Sequence, residues 1–455
     1  MSYFFILGRN QTLSIAEIAN LHEFRHEFHE SRIVELSPEA LVLETEEKLD
    51  CQNLQKQLGG TIKIGVIIGR IDANLTQISA NDFLKELPHS KRVYFGFSLY
   101  KLDNSVNLKQ FLPQIKKIAI KIKKELKESG VSSRWVVSKE RTLSSVVVQK
   151  NKLLTSGAEF CLFIKTRINA DRDADQRGFI RGPGNQCESV YLGKTLSVQE
   201  FEEYSQRDYG RPVRPIGQGL IPPKLAKIMI NLAGLSRDKI ILDPFLGSGT
   251  ILQEAVLLGY KNIIGTDIDE GAIDNARQNL EWLIERSKIK NQSTQINLSA
   301  RPSTKNLCSG KIPKTQIKNI KTFRCDAREL SREIPKNSID AIITEPYLGP
   351  SKVTISNLSL IIDRLSGLYL DTLREFKKVL KPDGRIVIVF PVFKIRNQKY
   401  FLPILQEIKK IGWRIQPILP EELKKYPFIQ ITPRQSIIYS RPDQIVLREI
   451  LIFRL

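Results

Sequence analysis

Residues 239–269 read KIILDPFLGSGTILQEAVLLGYKNIIGTDID. Two short apolar runs of strand type, Ile240–Leu242 and Asn262–Thr266, flank a helical pattern over Thr250–Leu258, which makes one βαβ unit. The first run ends in Asp243-Pro244-Phe245, and Gly247 and Gly249 then let the backbone approach a ligand closely at the mouth of the helix. The second ends in Gly265-Thr266-Asp267, which puts Asp267 24 residues after Asp243, near the usual distance for an acid that grips a ribose. A nucleoside-bearing cofactor suits this unit. Neither the GxGxxG of nicotinamide binding nor the lysine of a phosphate loop is present.

The charge is uneven along the 455 residues, whose net charge of +21 points to a polyanionic partner or an anionic surface. Lys91–Arg167 holds 17 basic and 5 acidic residues, and Arg286–Arg324 holds 10 basic and none acidic, so these two stretches carry the excess. Residues 1–60 are net acidic. Such localisation fits a nucleic-acid footprint, although lysine runs also serve as solvated faces. The five cysteines, Cys51, Cys161, Cys187, Cys308 and Cys325, are scattered without a CxxC pair. That argues for a reducing, cytoplasmic setting and against a zinc or disulfide framework. His22, His26 and His29 share a helical spacing, but LHEFRHEFHE reads as a solvated amphipathic segment and no metal is expected. The N-terminal Tyr3–Leu7 is too short for a signal peptide, and no apolar run reaches membrane-spanning length.

Taken in order, residues 3–7 suggest a strand, Ser14–His22 a helix capped by Ser14, and Leu41–Glu44 a strand, giving a small acidic α+β unit over residues 1–60. Strands follow from Thr61 and at Val93–Tyr100. A helix over Gln114–Glu128 then carries an apolar stripe of Ile115, Ile118, Ile122 and Leu126, with Lys116, Lys123 and Lys124 among the lysines off it. The next segment, GVSSRWVVSKERTLSSVVVQKNKLL, sets Arg134, Lys139, Arg141, Lys150 and Lys152 around a strand, a turn and a helix, before a strand at Ala158–Lys165. Pro212, Pro215, Pro222 and Pro223 punctuate a connector over residues 171–222. After the βαβ unit, a lysine-rich polar tract at 287–321 suits an insertion, either flexible or laid along RNA phosphates. Further strands are expected at Lys321–Cys325, Ile339–Thr344, Arg385–Phe390 and Trp413–Leu419. Helices are expected at Glu270–Leu283, Asp363–Leu380 and Phe401–Lys410, with a turn at Lys381–Gly384 and a closing strand pair around Pro442-Asp443.

DPFLGSGT at 243–250 resembles motif I of the S-adenosylmethionine-dependent N-methyltransferases that modify exocyclic amines of nucleobases. The opening FILGRNQTLSIAEI, the basic segment 130–154 and the signature RDYGRP at 207–212 are similar to THUMP-carrying tRNA guanine-N2-methyltransferases, the archaeal and eukaryotic enzymes of tRNA guanosine 10. The resemblance covers nearly the whole chain. It implies an α/β chain: a Rossmann-like class I methyltransferase sheet over residues 223–455 and an N-terminal α+β RNA-binding region, ferredoxin-like at 1–60 and THUMP at 61–170. It implies S-adenosyl-L-methionine as cofactor and tRNA as partner, bound by Lys116, Lys123, Lys124, Arg134, Lys139, Arg141, Lys150 and Lys152.

In a doubly wound sheet ligands bind beyond the carboxyl ends of the strands, where this sequence places Asp243, Asp267, Asp326 and Glu345. Asp243 and Pro244, with Gly247, Gly249 and Thr250, are expected to hold the methionine end of the cofactor. Asp267 would take the ribose hydroxyls, Ile268 would lie against the adenine, and Asp326 and Ala327 would meet the adenine edge. Thr344-Glu345-Pro346-Tyr347-Leu348 stands where the resembled families carry Asp-Pro-Pro-Tyr or Asn-Pro-Pro-Tyr, whose acid or amide accepts from the target amine while the ring stacks on the base. The pattern departs here. In one register Glu345 takes the acid's place, with Pro346 and Tyr347 near the base; in the other Tyr347 keeps the aromatic role and Thr344 stands for the acid. The expected function is methyl transfer to N2 of a guanine, in tRNA or, as a variant, ribosomal RNA. A DNA amino-methyltransferase and a catalytically weakened RNA-binding protein of the same fold are the alternatives.

Overall fold

The structure, a computed structural model, describes residues 1–21, 31–72, 80–166, 188–214, 219–286, 319–350, 352–441 and 444–455. His22, His26, His29, Pro215, the Pro442-Asp443 turn and nearly all of the basic tract at 287–321 lie outside the described residues. Two compact units result. The first half of the chain forms β1 (Ser2–Leu7), α1 (Gln11–Asn20), β2 (Arg32–Leu36), β3 (Ala40–Glu44), α2 (Cys51–Gln57), β4 (Thr61–Asp72), β5 (Arg92–Lys101), α3 (Leu112–Glu128), β6 (Ser132–Val136), α4 (Ser145–Lys150), β7 (Gly157–Thr166) and β8 (Glu188–Val198). The second half forms α5 (Phe201–Tyr209), α6 (Pro223–Leu232), β9 (Ile240–Asp243), α7 (Thr250–Leu257), β10 (Asn262–Asp267), α8 (Glu270–Arg286), β11 (Asn319–Arg324), β12 (Ile339–Thr344), α9 (Ile355–Val379), β13 (Leu380–Ile395), β14 (Gln398–Phe401), α10 (Leu405–Ile411), β15 (Arg414–Gln416), β16 (Ile437–Tyr439) and β17 (Val446–Arg454).

The unit of Met1–Gln11, Phe28–Lys56 and Thr61–Phe201 is built on one sheet in the order β2-β3-β1-β4-β8-β7-β5-β6. Strand β1 pairs antiparallel with both β3 and β4, so the strands on either side of residue 60 share a neighbour. Strand β8, within the stretch read as connector, pairs antiparallel with β4 and β7. Helix α3 buries Ile115, Ile118, Ala119, Ile122 and Leu126 against Val93, Phe95 and Phe160, while its lysines stay exposed. A buried ion pair, Lys63–Glu159 at 2.5 Å, is fully hydrogen-bonded: Ser98 and Thr195 also donate to Glu159, and Lys63 also reaches the Leu143 carbonyl. A charge pair so deep persists only when its remaining polar sites are satisfied in this way.

The unit of Thr12–Glu27, Gln57–Gly60 and Glu202–Leu455 is built on the parallel strands β11-β10-β9-β12-β13, extended by antiparallel β17 and β15. Five parallel strands closed by an antiparallel pair make a Rossmann-like sheet. Leu242, Ile264, Phe323, Ile342 and Ile388 from the sheet share one core with Leu365, Tyr369, Leu373 and Phe376 of α9 and with Trp413. Helix α9 begins at Ile355, eight residues ahead of the expected Asp363, because the Thr354 N–H donates to the Asn357 side chain at 2.8 Å and gives the chain an earlier start. Lys381–Gly384 is no free turn. It is absorbed in β13 as an irregularity, since β12 pairs first with Leu380 and then, past a register shift, with Arg385. Gln398–Phe401 pairs with β13, so the expected helix at Phe401 starts only at Leu405, and the strand expected over Trp413–Leu419 shortens to Arg414–Gln416.

Helix α1 lies almost wholly in this second unit. Ser14 does not cap it: the helix already runs from Gln11, and the Ser14 hydroxyl donates to the Gly60 carbonyl at 2.8 Å. Glu17, fully buried, accepts from the Gly59 and Gly60 N–H groups and from Asn231 of α6, at 2.8, 2.7 and 2.8 Å. Asn20 donates to the Ile418 carbonyl. These polar ties hold α1 in the second unit.

Candidate active site

Strand β9 lasts four residues before the chain leaves it at Asp243. The Leu246 N–H then donates to the Thr266 carbonyl of β10 at 2.9 Å, folding the loop back over its neighbour. Gly247 and Gly249 have φ of +51° and +77°, a region that L side chains enter only with strain. At Gly249 there is also no room: an added Cβ would stand 2.9 Å from the Ala276 Cβ of α8. At Gly247 an added Cβ would meet open space, so the backbone there is bare. The Gly247 N–H donates to Asp267 Oδ2 at 2.9 Å and the Asp269 N–H to Asp267 Oδ1 at 3.1 Å, so Asp267 braces the loop that faces it. Asp243 is buried and accepts from the Thr344 hydroxyl at 2.7 Å and the Phe245 N–H at 3.3 Å. Burial pushes its carboxyl up to about 7 against those two donors.

The parallel register carries these strand ends to one edge, with Asp243 beside Gly265 and Asp267 beside Arg324. Ile268 is 55% exposed directly after Asp267. Asp326, just past β11, is engaged by Arg328, whose backbone N–H, Nε and terminal nitrogen all donate to it, the last at 2.6 Å; these hydrogen bonds hold its carboxyl below the usual range. Ala327 is buried.

At the end of β12, adjacent to β9, Thr344 is buried and committed to Asp243. Glu345 turns the other way. Arg448 of β17 meets it with Nε on Oε2 at 2.5 Å and a terminal nitrogen on Oε1 at 2.9 Å, while also donating to the Gly219 and Leu220 carbonyls. Burial raises the Glu345 carboxyl and Arg448 opposes the rise. Pro346 is buried, and Tyr347 projects with 58% of its surface exposed.

A second basic cluster stands behind the glycine loop. Glu254 of α7, fully buried, takes Arg207 Nε at 2.6 Å and has Lys227 Nζ 3.4 Å from its other oxygen. Arg211 sits in the same segment as Arg207 and donates to the Thr250 hydroxyl at 2.7 Å. Asn279 ties the segment down, exchanging two hydrogen bonds with Val213 and donating a third to the Ser248 carbonyl. In the sequence Arg211 stands out only as part of the RDYGRP signature, and Arg448 does not stand out as a site residue. The available signal for Arg448 is a lone Arg-Glu pair inside the apolar run VLREILIF.

In the first unit, Lys116, Lys123, Lys124, Arg134, Lys139, Arg141, Lys150 and Lys152 are all exposed. They differ in freedom. Arg141 is clasped by Glu39 at 2.6 and 3.2 Å, and Lys124 stands 3.8 Å from Glu128. Among the described residues no cluster of potential metal ligands occurs, and no helix is long and apolar enough to cross a membrane.

The family model for the UPF0020, RMKL-like methyltransferase domain matches residues 211–398. The tRNA (guanine(10)-N2)-dimethyltransferase of Pyrococcus abyssi is 30% identical over 209 residues, 44% of this chain and 50% of that protein. The enzyme of the same name from Methanocaldococcus jannaschii is 32% identical over 210 residues, 44% of this chain and 48% of that protein. The tRNA (guanine(6)-N2)-methyltransferase of Thermus thermophilus is 29% identical over 177 residues, 38% and 40% of the two chains. The chain thus spans about half the length of the curated relatives it matches. Residues 211–398 thus match the model of an RMKL-like methyltransferase domain, and this chain is similar over part of its length to proteins named tRNA guanine-N2-methyltransferases.

Proposed function

We propose that this protein transfers a methyl group from S-adenosyl-L-methionine to the exocyclic N2 of a guanine in tRNA. The observation that carries the reading is the strand-end rim: a bare glycine loop braced between Asp243 and Asp267, with Glu345, Pro346 and the exposed Tyr347 at the end of the next strand but one from β10. The residues fit an adenosyl cofactor. Gly247 leaves room where a side chain would intrude, Ile268 offers an exposed apolar face beside Asp267, and buried guanidinium donors of Arg211 stand next to Thr250 without a partner among the described residues. Gly247, Gly249, Thr250 and Asp243 would hold its methionyl end, and Asp267 and Ile268 its nucleoside, with Asp326 and Ala327 beyond.

When bound, the cofactor supplies an electrophilic methyl group on a sulfonium, so the protein's task is chiefly positioning. A guanine turned out of its stack would lie on Tyr347, and Glu345 would accept a hydrogen bond from the amine, aiming the nitrogen lone pair. The commitment of the Thr344 hydroxyl to Asp243 supports the register in which Glu345, not Thr344, is the acceptor. A carboxylate paired with one arginine keeps lone pairs for a further donor. As the methyl passes from sulfur to N2 and S-adenosylhomocysteine leaves, the proton of the nitrogen, already acidified by attack, would pass to the Glu345 carboxylate, so Glu345 need not be a strong base.

The exposed basic residues of the first unit are assigned to tRNA phosphates, with residues 61–170 as a THUMP domain and the cytoplasm as the place of action. The relatives' names differ in the guanine they modify, position 10 or 6, and position 10 is the reading favoured by the higher identity. The test supplies tritiated S-adenosylmethionine and unmodified tRNA transcripts to the wild type and Glu345→Ala, with ribosomal RNA and DNA as competitors. Label in N2-methylguanosine that is lost with the substitution supports the proposal. Cofactor binding without transfer to any nucleic acid supports instead an RNA-binding protein in which the Glu345–Arg448 pair has closed the acceptor.

A further inference from the structure

Two arginines four residues apart meet opposite fates in this fold. Arg207 is buried but neutralised, its Nε 2.6 Å from Glu254. Arg211 is 4% exposed, and its one hydrogen bond is to a neutral hydroxyl, that of Thr250. Its Nε and second terminal nitrogen have no partner among the described residues. Burial depresses its pKa, the charge of Asp208 counters the shift in part, and Arg214 adds to it. A desolvated guanidinium with two idle donors is costly, by several kcal/mol for the charge alone, and such groups are retained where an anion completes them.

The idle pair defines the anion's shape. Nε and that terminal nitrogen form one straight edge of the guanidinium, the same two donors that Arg448 sets against both oxygens of Glu345. A carboxylate matches that edge with two parallel hydrogen bonds. The position identifies its source. Thr250 directly follows Gly249, and Asn279 fastens Val213 to the Ser248 carbonyl, so the Arg211 segment is held against the glycine loop. An RNA phosphate stays on its polymer at the protein surface, whereas a small cofactor seated on the glycine loop can be buried together with this guanidinium.

We propose that Arg211 is the carboxylate-binding residue of the cofactor site, its free edge pairing with the α-carboxylate of the methionyl group of S-adenosylmethionine. The inference rests on the methyltransferase reading. Charge-assisted bidentate pairing predicts that the carboxylate contributes about ten- to hundredfold in affinity through Arg211.

The experiment titrates the full chain calorimetrically with S-adenosylhomocysteine, S-adenosylmethionine and decarboxylated S-adenosylmethionine, for wild type, Arg211→Met and Arg211→Lys. Wild type should bind the decarboxylated compound about ten- to hundredfold more weakly than S-adenosylmethionine. Arg211→Met should lose that preference without further weakening the decarboxylated compound, and Arg211→Lys should keep only part of it. Equal wild-type affinity for the two compounds, or a preference undiminished in Arg211→Met, overturns the assignment while leaving the enzyme reading intact. No binding of any of the three by wild type overturns the cofactor reading itself, and this assignment with it. Arg211→Met should melt no lower than wild type without ligand and gain less from S-adenosylmethionine, because it removes an uncompensated charge. Loss of the fold in that variant would contradict this and leave the comparison of compounds on wild type to decide.

Discussion

Arg448 holds Glu345 by both carboxylate oxygens, at 2.5 and 2.9 Å, with 5% and 9% of the two side chains exposed. The pair links β17 to the end of β12 across 103 positions of sequence. Arg448→Met leaves a buried carboxylate uncompensated, and breaking one side of such a pair costs about 3–5 kcal/mol. Burial alone then governs Glu345, so its pKa climbs further and the ionised acceptor is restored only at higher pH. Methyl transfer by Arg448→Met should therefore fall near neutral pH and recover as pH rises, and Glu345→Gln/Arg448→Met should regain most of the stability. Urea unfolding of the single and double variants together with a pH profile of transfer checks both. A profile unchanged from wild type would remove Arg448 from the account of the site.

Glu254 is the countercharge for Arg207 and Lys227 at once. Glu254→Ala deletes one buried anion and strands two buried cations, so the second unit should lose about 3–5 kcal/mol on denaturant unfolding. Because Glu254 lies on α7 behind the loop, the glycine loop should become easier to cleave by protease in the same variant. A loss below about 1 kcal/mol, the size of an exposed pair, would mean that solvent reaches the cluster.

Much of the second unit is legible in the sequence, and the reason is local. An Asp-terminated apolar run, two glycines and a helical period lie within 31 contiguous residues, so the loop of Gly247 and Gly249 and the rim of strand-end acids follow from short-range chemistry. What local chemistry cannot tell is which distant side chain meets which. Asp326 is filled by Arg328, Arg448 reaches Glu345 from the last strand, and Glu17 finds its donors in Gly59, Gly60 and Asn231. The helix α1 illustrates the limit: Leu13, Ile15 and Ile18 indicate that it packs, but not that it packs in the second unit. The capping serine misled for a related reason, since a buried hydroxyl takes the best available acceptor, here the carbonyl of Gly60.

Exposure and pairing rank the basic residues of the first unit. Removing one cation that sits on a phosphate should reduce the salt dependence of tRNA binding by a slope of about 0.7–0.9. Lys116→Ala/Lys123→Ala combined should thus lower it by about 1.5. Arg141→Ala should change it less than Lys139→Ala, because Glu39 already occupies the Arg141 guanidinium. Filter binding of tRNA from about 50 to about 500 mM salt, a range of about one decade, measures the slopes, and equal effects of Arg141→Ala and Lys139→Ala would show that RNA displaces Glu39.

Asp243 supplies the pH dependence of cofactor binding. Burial raises its carboxyl to about 7 in the free protein, with Thr344 and the Phe245 N–H pulling down and Asp267 and Glu345 adding repulsion. The cofactor's methionyl end brings positive charge, which favours the ionised carboxylate. Affinity should therefore rise as pH increases from about 6 through the folded pKa and level off above about 8, the opposite of a site that binds with a protonated acid. The same shift has a consequence for stability, with the sign reversed. A carboxyl whose folded pKa lies above its unfolded value stabilises the fold fully below the unfolded pKa and loses that contribution as pH climbs through the folded one. Ligand-free protein should thus melt lower at pH 8 than at pH 6, with Glu17, also raised to about 7 by burial, acting in the same direction. Protein with S-adenosylmethionine should show the gap narrowed or inverted, since binding restores at high pH what the empty site loses. Asp243→Asn abolishes the rise in affinity and leaves the Glu17 share of the melting shift. Calorimetric affinities and melting curves at pH 6, 7 and 8, about one unit to either side of the folded pKa, distinguish the two effects, and an affinity flat across that range would remove Asp243 from the methionyl site.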